Sequence, residues 1–413
     1  MIAQEKNGGP DRRRVLIAGG GIAGLEALLA LNDLAGERVD VTLAAPDPEF
    51  TYRPMIVEEP FSLAPAERRD LGLLCRDLGA RFVQGAVRAM IPDRHVAILA
   101  DGSELDYDAA IVCVGARSRP AYPSATTLRS WSEPVAIDEA IDDAATDPTR
   151  RLAFVVPPRI VWSLPLYELA MLTQRRAVER GLAVEILIVT PEAEPLSVFG
   201  HVASSAVADL LAARGIEVLT ESSVAEVQGG FVVHPGGRAL DVGAVVALPV
   251  LTGPGIEGLA ADARGFIRID EHASVPGAPD VFAAGDGTIF PIKQGGLATQ
   301  QADAAAEMVA ALAGAPIDPQ PLRPVLRGKL ITGSESLHLS SSISGGGGEP
   351  TASLDYLWWP PKKVAGKFLA PFLAGASRFE PEPPGHSLDV EVSVPSEWHS
   401  QPMALDPLEH IEG

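Results

Sequence analysis

Cysteine is scarce in this chain of 413 residues, which contains only Cys75 and Cys113. Two cysteines cannot build a disulfide framework or a zinc site, and their separation excludes a C-x-x-C redox motif. Cys113 lies within an apolar run, and Cys75 fits the apolar face of a predicted helix. We therefore predict that both thiols are buried and structural. The eight histidines are scattered without the spacing of metal ligands, so no metal site is predicted.

Positive charge is also scarce, because 33 Lys and Arg residues stand against 54 Asp and Glu residues and the formal net charge is -21. A surface this acidic repels phosphate backbones, which excludes nucleic acid as a partner. No apolar run approaches the length that spans a bilayer. Arginines precede an apolar stretch near the N-terminus, as in an export signal, but the motif described next explains that stretch better. We expect a cytoplasmic protein, peripheral at a membrane at most.

A glycine-rich turn follows the first apolar segment. Residues 14–18 are predicted to form a short strand, and the periodicity from Leu25 to Leu34 predicts a helix. The turn between them has the G-x-G-x-x-G pattern in the strand–turn–helix context that a dinucleotide needs. The first glycine permits the tight turn, the second lets the backbone approach a pyrophosphate, and the third lets helix and strand pack. The predicted pyrophosphate contacts are Gly19, Gly21, Ile22, Ala23 and Gly24.

The residue that should hold the adenosine ribose is missing. In a unit of this type the second strand ends in an acid, whereas the segment VDVTLAAPDPEF has Ala45 there, followed by Pro46. Either Asp47 takes this role from two residues further on, or the ribose is held in another way. The sequence leaves both alternatives open.

Three later segments occur in the order found in one family of flavoproteins. An apolar strand ends at Gly285-Asp286 in an A-x-G-D pattern, YDAAIVCVGARSRP spans residues 107–120, and RFVQGAVRAM spans residues 81–90. With the glycine turn they cover about residues 13–315. Over this region the chain resembles the two-dinucleotide-domain flavoproteins, the pyridine nucleotide-disulfide oxidoreductase-like superfamily. It is similar in pattern to sulfide:quinone oxidoreductases and type II NADH dehydrogenases.

The resemblance implies that FAD is the cofactor and which residues contact it. Asp286 matches the acid that binds the ribityl chain, and Val87 lies in the segment whose backbone meets the adenine. Arg53 and Pro54 lie in a segment, EFTYRPM, that resembles the one beside the isoalloxazine. Through the resemblance, the predicted contacts after the first turn are Arg53, Pro54, Val87, Gly115, Gly285 and Asp286.

The helix that follows Gly295-Gly296 is the last element of the predicted flavin site. In the family its N-terminus points at the flavin pyrimidine ring, so Gly296, Leu297 and Ala298 are further predicted contacts. The positive end of a helix dipole there would stabilise the anion of reduced flavin. Lys293 precedes this helix and is the candidate catalytic residue, because its charge would act on the same ring. The alternative is a solvated loop lysine.

A second strand–turn–helix unit, within residues 151–250, lacks the glycines. Its turn is PPRIVWSLPLYE, in which two prolines offer no N–H group and a Trp side chain fills the space of a pyrophosphate. In one interpretation the turn still binds NAD(P)H, with Arg159 on a phosphate and Glu192 on a ribose. In the other the nicotinamide site is lost, as in the sulfide:quinone oxidoreductases, whose P-x-Y-E pattern resembles residues 165–168. The second is favoured because the roles of the fingerprint glycines are unfilled.

The sulfide chemistry of those relatives does not follow from the resemblance, because it uses cysteines and no cysteine comes after Cys113.

Beyond about residue 330, LITGSESLHL predicts a strand pair, and residues 356–374 form an aromatic and basic amphipathic segment. In quinone-reducing relatives a similar region contacts the membrane. The favoured alternative is that the segment packs on the flavin domain or on a homodimer mate. Trp358 and Trp359 are predicted to be covered by a partner surface.

These observations predict an α/β fold with two Rossmann-like domains, the second inserted in the first. The predicted FAD-binding domain comprises residues 13–120 and 251–315, the second domain residues 121–250, and a C-terminal region residues 316–413. The resemblance implies an FAD-dependent oxidoreductase, with FAD as a two-electron carrier, a quinone as acceptor and no redox disulfide. The alternatives are an NAD(P)H-dependent flavin reductase with an atypical turn, and a flavin-bound interaction protein without turnover.

Overall fold

The structure is a computed structural model, and it describes residues 12–127, 134–146, 151–227, 230–235, 237–240, 242–342 and 351–381. The last part of the predicted C-terminal region, residues 382–413, lies outside the described residues. Within the described ranges no helix is both long and apolar enough to cross a bilayer.

The first part of the chain alternates strands and helices. Its elements are β1 (Arg13–Ala18), α1 (Ile22–Leu34), β2 (Val39–Ala45), β3 (Glu49–Thr51), β4 (Arg68–Asp70), α2 (Leu71–Asp77), β5 (Arg81–Gln84), β6 (Val87–Ile91), β7 (Val96–Leu99), β8 (Glu104–Asp106), β9 (Ala109–Val112) and β10 (Arg117–Arg119). A 3₁₀ segment, Arg53–Phe61, follows β3.

The middle of the chain repeats this pattern. Its elements are β11 (Thr126–Thr127), α3 (Pro134–Thr146), β12 (Arg151–Val155), α4 (Leu164–Glu179), β13 (Ile186–Val189), α5 (His201–Ala213), β14 (Glu217–Leu219), β15 (Ser223–Val227), β16 (Gly230–His234), β17 (Arg238–Ala239), β18 (Val242–Ala247) and β19 (Val250–Thr252). The last elements are β20 (Val281–Ala283), α6 (Gly295–Leu312), β21 (Val325–Leu330), β22 (Leu337–Ser342), β23 (Thr351–Ser353) and α7 (Leu369–Ala374).

A parallel sheet in the order β20-β9-β1-β2-β5 forms the centre of the first unit. β9 is apolar and buried along its whole length, because α1 and α6 pack on one face of the sheet and the β6–β8 strands pack on the other. β1 pairs with β2 on one side and with β9 on the other. The chain order therefore reverses beside β1, and a crevice opens at the carboxyl ends of these strands. The glycine turn follows β1 directly into this crevice.

The second unit has a parallel sheet of the same kind, in the order β11-β18-β12-β13-β14. The chain leaves the first unit at β10 and returns at β19, and these two strands pair antiparallel. β20 then joins the first sheet beside β9. The topology is thus that of two Rossmann-like units, with the second inserted in the first, and it confirms the predicted fold class.

The C-terminal region joins both units. An antiparallel sheet in the order β21-β22-β23 packs its apolar side chains Leu326, Leu330 and Leu339 into the core of the second unit. α7 places Leu369 and Leu373 in the core of the first unit. The strand pair predicted from LITGSESLHL is present, but its first strand begins earlier. Residues 331–336 form the connection, because Gly333 adopts a positive φ of 82° that a strand does not use.

Candidate active site at the crevice and the second turn

In the glycine turn after β1, two glycines lie so close to backbone carbonyl groups that a side chain would not fit. Gly19 has a φ of 116°, and a Cβ on it would overlap the carbonyl oxygen of Cys113, while a Cβ on Gly24 would overlap that of Gly19. A Cβ on Gly21 would meet nothing within 4 Å, so open space lies over the start of α1. The first N–H of this helix to bond internally is that of Leu25, at 2.9 Å from Gly21 O. The preceding N–H groups have no acceptor within the helix, as is typical of helix ends that bind anions.

The late glycine turn after β20 lies against the first. Gly285 has a φ of 85°, and a Cβ on it would come within 3.2 Å of the Ala23 Cβ in α1 and 3.5 Å of the Ala298 Cβ in α6. A Cβ on Gly287 would be 2.8 Å from the carbonyl oxygen of Gly115 after β9. The segments that predicted an FAD site from distant parts of the sequence thus meet at one crevice, between the N-terminal ends of α1 and α6.

Two side chains that sequence reasoning missed hold the late turn in place. Gln301 on α6 accepts the Gly285 N–H at 2.7 Å, and the Thr288 hydroxyl donates to the Gly285 carbonyl oxygen at 3.0 Å. Both side chains are buried. The signal of Gln301 in the sequence was a polar residue within the alanine-rich run of α6, and a search for ligand contacts does not select such a residue.

Lys293 is half-buried at the late turn and is not a solvated loop lysine. Its ammonium donates to the carbonyl oxygen of Thr288 and lies 4.0 Å from the centroid of the Phe266 ring. Burial lowers its pKa to about 8, and the nearby carboxylate of Asp286 opposes that shift. Burial raises the pKa of Asp286, while Lys293 and Arg53 oppose it. Desolvation thus disfavours the charged forms of both groups, and the attraction between them opposes that effect.

The N-terminus of α6 is capped by its own N-cap residue. The Gln294 side chain accepts the Leu297 N–H at 2.9 Å, and the Gln294 carbonyl oxygen accepts the Ala298 N–H at 2.9 Å. Of the predicted contacts on this helix, the N–H groups of Leu297 and Ala298 are thus already bonded. The N–H group of Gly296, with that of Gly295 beside it, belongs to the first turn that has no acceptor within the helix.

The other predicted cofactor contacts lie around the rim. Asp47 is exposed just beyond the carboxyl end of β2, where its Oδ1 accepts the Glu49 N–H at 3.0 Å. Arg53 is exposed and Pro54 half-buried at the start of the 3₁₀ segment after β3. Val87 is buried at the start of β6.

The second turn, between β12 and α4, is organised around Glu192. Its carboxylate accepts the hydroxyls of Ser163 at 2.8 Å, Tyr167 at 2.7 Å and Thr190 at 2.8 Å. Ser163 is the N-cap of α4, yet its side chain makes no bond to the helix backbone. Both carboxylate oxygens are therefore engaged within the protein, on the hydroxyls of the turn, α4 and the end of β13. The predicted alternative in which Glu192 holds a ribose would require this arrangement to open.

Comparison with known proteins agrees with this geometry. Residues 167–308 match the family described as pyridine nucleotide-disulphide oxidoreductase. The sulfide:quinone oxidoreductase of Aquifex aeolicus superposes with a TM-score of 0.73 at 18% identity, covering 83% of this chain and 86% of that one. This chain has the two-dinucleotide-domain flavoprotein fold. The family resemblance and the fold class predicted from the sequence are confirmed.

Two further proteins are similar to this flavoprotein-fold chain. A ferredoxin reductase of Rhodopseudomonas palustris superposes with a TM-score of 0.60 at 18% identity, covering 82% of this chain and 84% of that one. In sequence, the chain is 24% identical over 327 residues to the alternative NAD(P)H-ubiquinone oxidoreductase C1 of Arabidopsis thaliana. That alignment covers 67% of this chain and 62% of the plant protein, so the chain spans less than two thirds of the plant relative's length.

A C-terminal strap, defined as residues 360–374, crosses the crevice side of this fold. Val364 donates its N–H to the Tyr52 hydroxyl at 2.7 Å, and its side chain packs on Gly295 at the start of α6. Lys363 forms a buried ion pair of 2.6 Å with Glu168 on α4, whose other oxygen accepts the Ile331 N–H at 2.8 Å. The strap is therefore anchored to both units, and it packs on this chain's own core, the alternative that the sequence favoured.

The two tryptophans before the strap differ in burial. Trp358 is fully buried and donates its ring N–H to the carbonyl oxygen of Lys362 at 3.0 Å, whereas Trp359 is 45% exposed. This chain's own fold covers Trp358 but not Trp359, and cover of Trp359 by another partner stays a prediction. Its backbone pairs with Glu380 in an extended bridge, and successive side chains of an extended segment point to opposite sides.

Both cysteines are buried in the flavoprotein fold, as the sequence predicted: Cys75 is 0% and Cys113 5% exposed. Burial raises the pKa of the Cys113 thiol to about 12 and that of Cys75 to about 11. Both side chains therefore remain thiols at neutral pH, which removes their nucleophilic form.

Proposed function

We propose that this chain is an FAD-dependent oxidoreductase that uses FAD as a two-electron carrier and passes the electrons to a quinone, without a redox-active disulfide. The observation that carries the proposal is the convergence of the two glycine turns and the N-termini of α1 and α6 at one crevice. The names of the structural and sequence relatives, which include quinone oxidoreductases, support the acceptor class.

The residues of the crevice fit a dinucleotide. The space over Gly21 would admit the pyrophosphate, and the free N–H groups of Ile22 and Ala23 would donate to it. Asp286 would accept from the ribityl hydroxyls, while Lys293 would hold positive charge near the flavin. FAD, when bound, supplies the electron-transfer chemistry. The protein supplies the position, the positive charge and the covering strap.

We also propose that NAD(P)H is not the electron donor of this chain. Pro157 and Pro158 lack the N–H groups that a pyrophosphate needs, and Glu192 is held by three hydroxyls. In this respect the chain would differ from the plant relative, whose name includes NAD(P)H.

The proposals on quinone access and on the cell location rest on the surface in and beside the strap. Four large apolar side chains between residues 354 and 372 are exposed, with exposed fractions between 37% and 62%: Leu354, Tyr356, Trp359 and Phe372. Lys367 is exposed on the same segment. We propose a cytoplasmic protein whose contact with the membrane, where quinones reside, is peripheral and uses this surface. A homodimer mate is the competing partner for the same surface.

A charge placed in the pyrophosphate seat tests the cofactor. Gly21 has an extended backbone with a φ of -86° and open space beside it, so Gly21→Glu should fold while repelling the pyrophosphate. Wild-type protein should be yellow and release FAD on denaturation, and the variant should be colourless. Asn32→Glu, an exposed change at the other end of α1, is the matched control and should retain FAD. Wild-type protein that neither contains FAD nor binds added FAD would overturn the proposal.

A further inference from the structure

Two buried carboxyl groups meet beneath the strap. Glu26 on α1 is fully buried, and its carboxyl group is in hydrogen-bond contact with that of Asp303 on α6. α1 and α6 are the helices whose N-termini face the crevice, so the pair joins them below it. Asp303 Oδ1 has no hydrogen-bond partner among the described residues.

Glu26 also binds the strap. Its Oε1 accepts the Phe368 N–H at 2.9 Å, and its Oε2 accepts the Leu369 N–H at 2.7 Å. The strap comes so close that a Cβ on Gly366 would be 2.7 Å from Glu26 Oε2. Both amides lie at the start of α7, where no acceptor within the helix is available to them. An ionised carboxylate is a stronger acceptor for these amides than a neutral carboxyl group, because charge-assisted hydrogen bonds are stronger than neutral ones.

The surroundings of the pair are poor in positive charge. The charge of Glu307 on α6 acts on Asp303, the Tyr52 hydroxyl lies near Glu26, and Lys367 of the strap is the nearby cation. Lys367 is itself exposed and lies 3.9 Å from Glu307. Burial raises the pKa of both carboxyl groups, and the charge of Glu26 raises that of Asp303 further. Both carboxyl groups are thus shifted towards their protonated forms, and Asp303, which the charge of Glu26 also disfavours as an anion, is the group that would hold a shared proton.

We propose that Glu26 and Asp303 form a proton-dependent latch that holds the strap against α1 and α6, and that the latch is closed when the pair carries a single proton. With no proton, two adjacent buried carboxylates repel each other and the helices and strap loosen. With two protons, Glu26 is neutral and a weaker acceptor for the strap amides. Docking of the strap is thus strongest at intermediate pH. The consequence of strap docking, control of access to the flavin crevice, rests on the proposed function. The latch itself does not depend on that function.

Hydrogen exchange of the full-length protein with its cofactor measures the latch directly. Protection factors of the Val364, Phe368 and Leu369 amides, corrected for intrinsic exchange, are followed from about pH 5 to about pH 9. In wild type they should pass through a maximum and fall about tenfold or more on the alkaline side, the effect of losing charge-assisted hydrogen bonds. The amides of β12 and β13 should keep their protection throughout, since they lie outside the latch.

Two variants separate the latch from a general loss of stability. Asp303→Asn keeps a donor to Glu26 but cannot ionise, so the alkaline fall should disappear. Glu26→Gln should also abolish the alkaline fall and lower strap protection about tenfold at neutral pH. Glu307→Gln is the matched control, one turn further along α6, and should keep the alkaline fall.

The proposal is wrong if wild-type strap protection does not change with pH, or if the alkaline fall persists in either Asp303→Asn or Glu26→Gln. Flavin absorbance of the same samples reports cofactor binding, so failure of the latch is distinguishable from failure of the FAD proposal.

Discussion

At the scale of single residues, burial controls what the titratable side chains can do. His338 is 1% exposed, and among the described residues neither of its ring nitrogens has a hydrogen-bond partner. Its ring packs edge-on against Tyr356 and Trp358, at centroid distances of 5.3 and 5.1 Å. Burial lowers its pKa from 6.5 to about 4, and the charge of Lys329 adds to that shift. His338 is therefore a neutral aromatic packing residue at physiological pH.

This burial predicts an acid-sensitive contribution to stability. Between pH 6.5 and about 4 the unfolded chain binds a proton at this histidine and the folded chain does not, so stability falls as pH decreases. His338→Phe should remove about 1–3 kcal/mol of that loss. Urea unfolding at about pH 7 and about pH 5 measures the difference. His201→Gln, at an exposed site, is the control for replacing a histidine. An unchanged acid loss in His338→Phe would contradict the assignment.

The two thiols give a second prediction at this scale. Because both are buried and protonated, Cys75→Ser and Cys113→Ser should leave flavin reduction and reoxidation rates at wild-type values. Each change should lower the free energy of unfolding by about 1–3 kcal/mol, since a hydroxyl replaces an apolar thiol in the core. Anaerobic photoreduction followed by quinone addition measures the rates. The corresponding alanine variants separate the polarity of serine from loss of the thiol. A rate loss in both sets with FAD bound would identify a thiol function.

At the scale of elements, the turn between β12 and α4 is the basis of the proposal on nucleotide use. A nicotinamide dinucleotide needs backbone N–H groups at the start of α4, and two prolines remove donors from this turn. Glu192 ties the turn to α4 and to the end of β13 through hydroxyl groups. Burial raises the pKa of Glu192, while these bonds favour its ionised form and oppose the shift. The element is therefore held together in the place that a ribose would occupy.

From this turn we predict slow flavin reduction by NADH and NADPH. Arg159 is the competing feature, because a guanidinium can hold a phosphate. Such a contact contributes about 1.5–3 kcal/mol, or one to two decades of affinity, which does not replace the missing backbone donors. Stopped-flow absorbance measures the reduction rate, with Arg94→Ala as the control for loss of an exposed arginine. Saturable reduction at micromolar NADH or NADPH, abolished in Arg159→Ala but not in Arg94→Ala, would show that the turn is a working site.

At the scale of the whole molecule, a buried ion pair ties the strap to the second unit. Glu168 is 0% and Lys363 8% exposed, and their charged atoms are 2.6 Å apart. Burial raises the pKa of Glu168, and the ammonium of Lys363 opposes that shift. Lys329 lies close enough to share the charge balance of this cluster. The pair links parts of the chain that are distant in sequence and so contributes to the relative position of the two units and the strap.

Breaking one half of this pair should cost more than removing both halves. Lys363→Met leaves an unpaired buried carboxylate and should lower the free energy of unfolding by about 3–5 kcal/mol. Glu168→Gln combined with Lys363→Met keeps an acceptor for the Ile331 N–H and should recover most of that loss. Urea denaturation measures both variants. A double variant no more stable than Lys363→Met would mean that packing of the lysine stem, and not the charge, dominates.

The flavin crevice was largely predictable because its requirements are local in sequence. Gly24 is required by its close approach to the carbonyl oxygen of Gly19, and Gly19 and Gly285 are required by their positive φ angles. These constraints act between residues a few positions apart, so a pattern of glycines and apolar runs reveals them. The order of such patterns along the chain predicted the family, and the structural relatives confirm the fold. The prediction of each FAD contact, including Asp47, Val87 and Lys293, stays a prediction.

The sequence by itself determined the two Rossmann-like units, the glycine turns and the burial of the thiols, because backbone conformation and apolar periodicity depend on near neighbours. Only the tertiary structure decided what the long-range polar contacts are. The partners of Glu192, of Glu168 and of Glu26 include residues of other elements, and for Glu168 and Glu26 they include residues of the strap. A buried charge must be paired, but its partner can come from any part of the chain that the fold brings near. No local pattern specifies that choice, since it follows from how the units and the strap pack together.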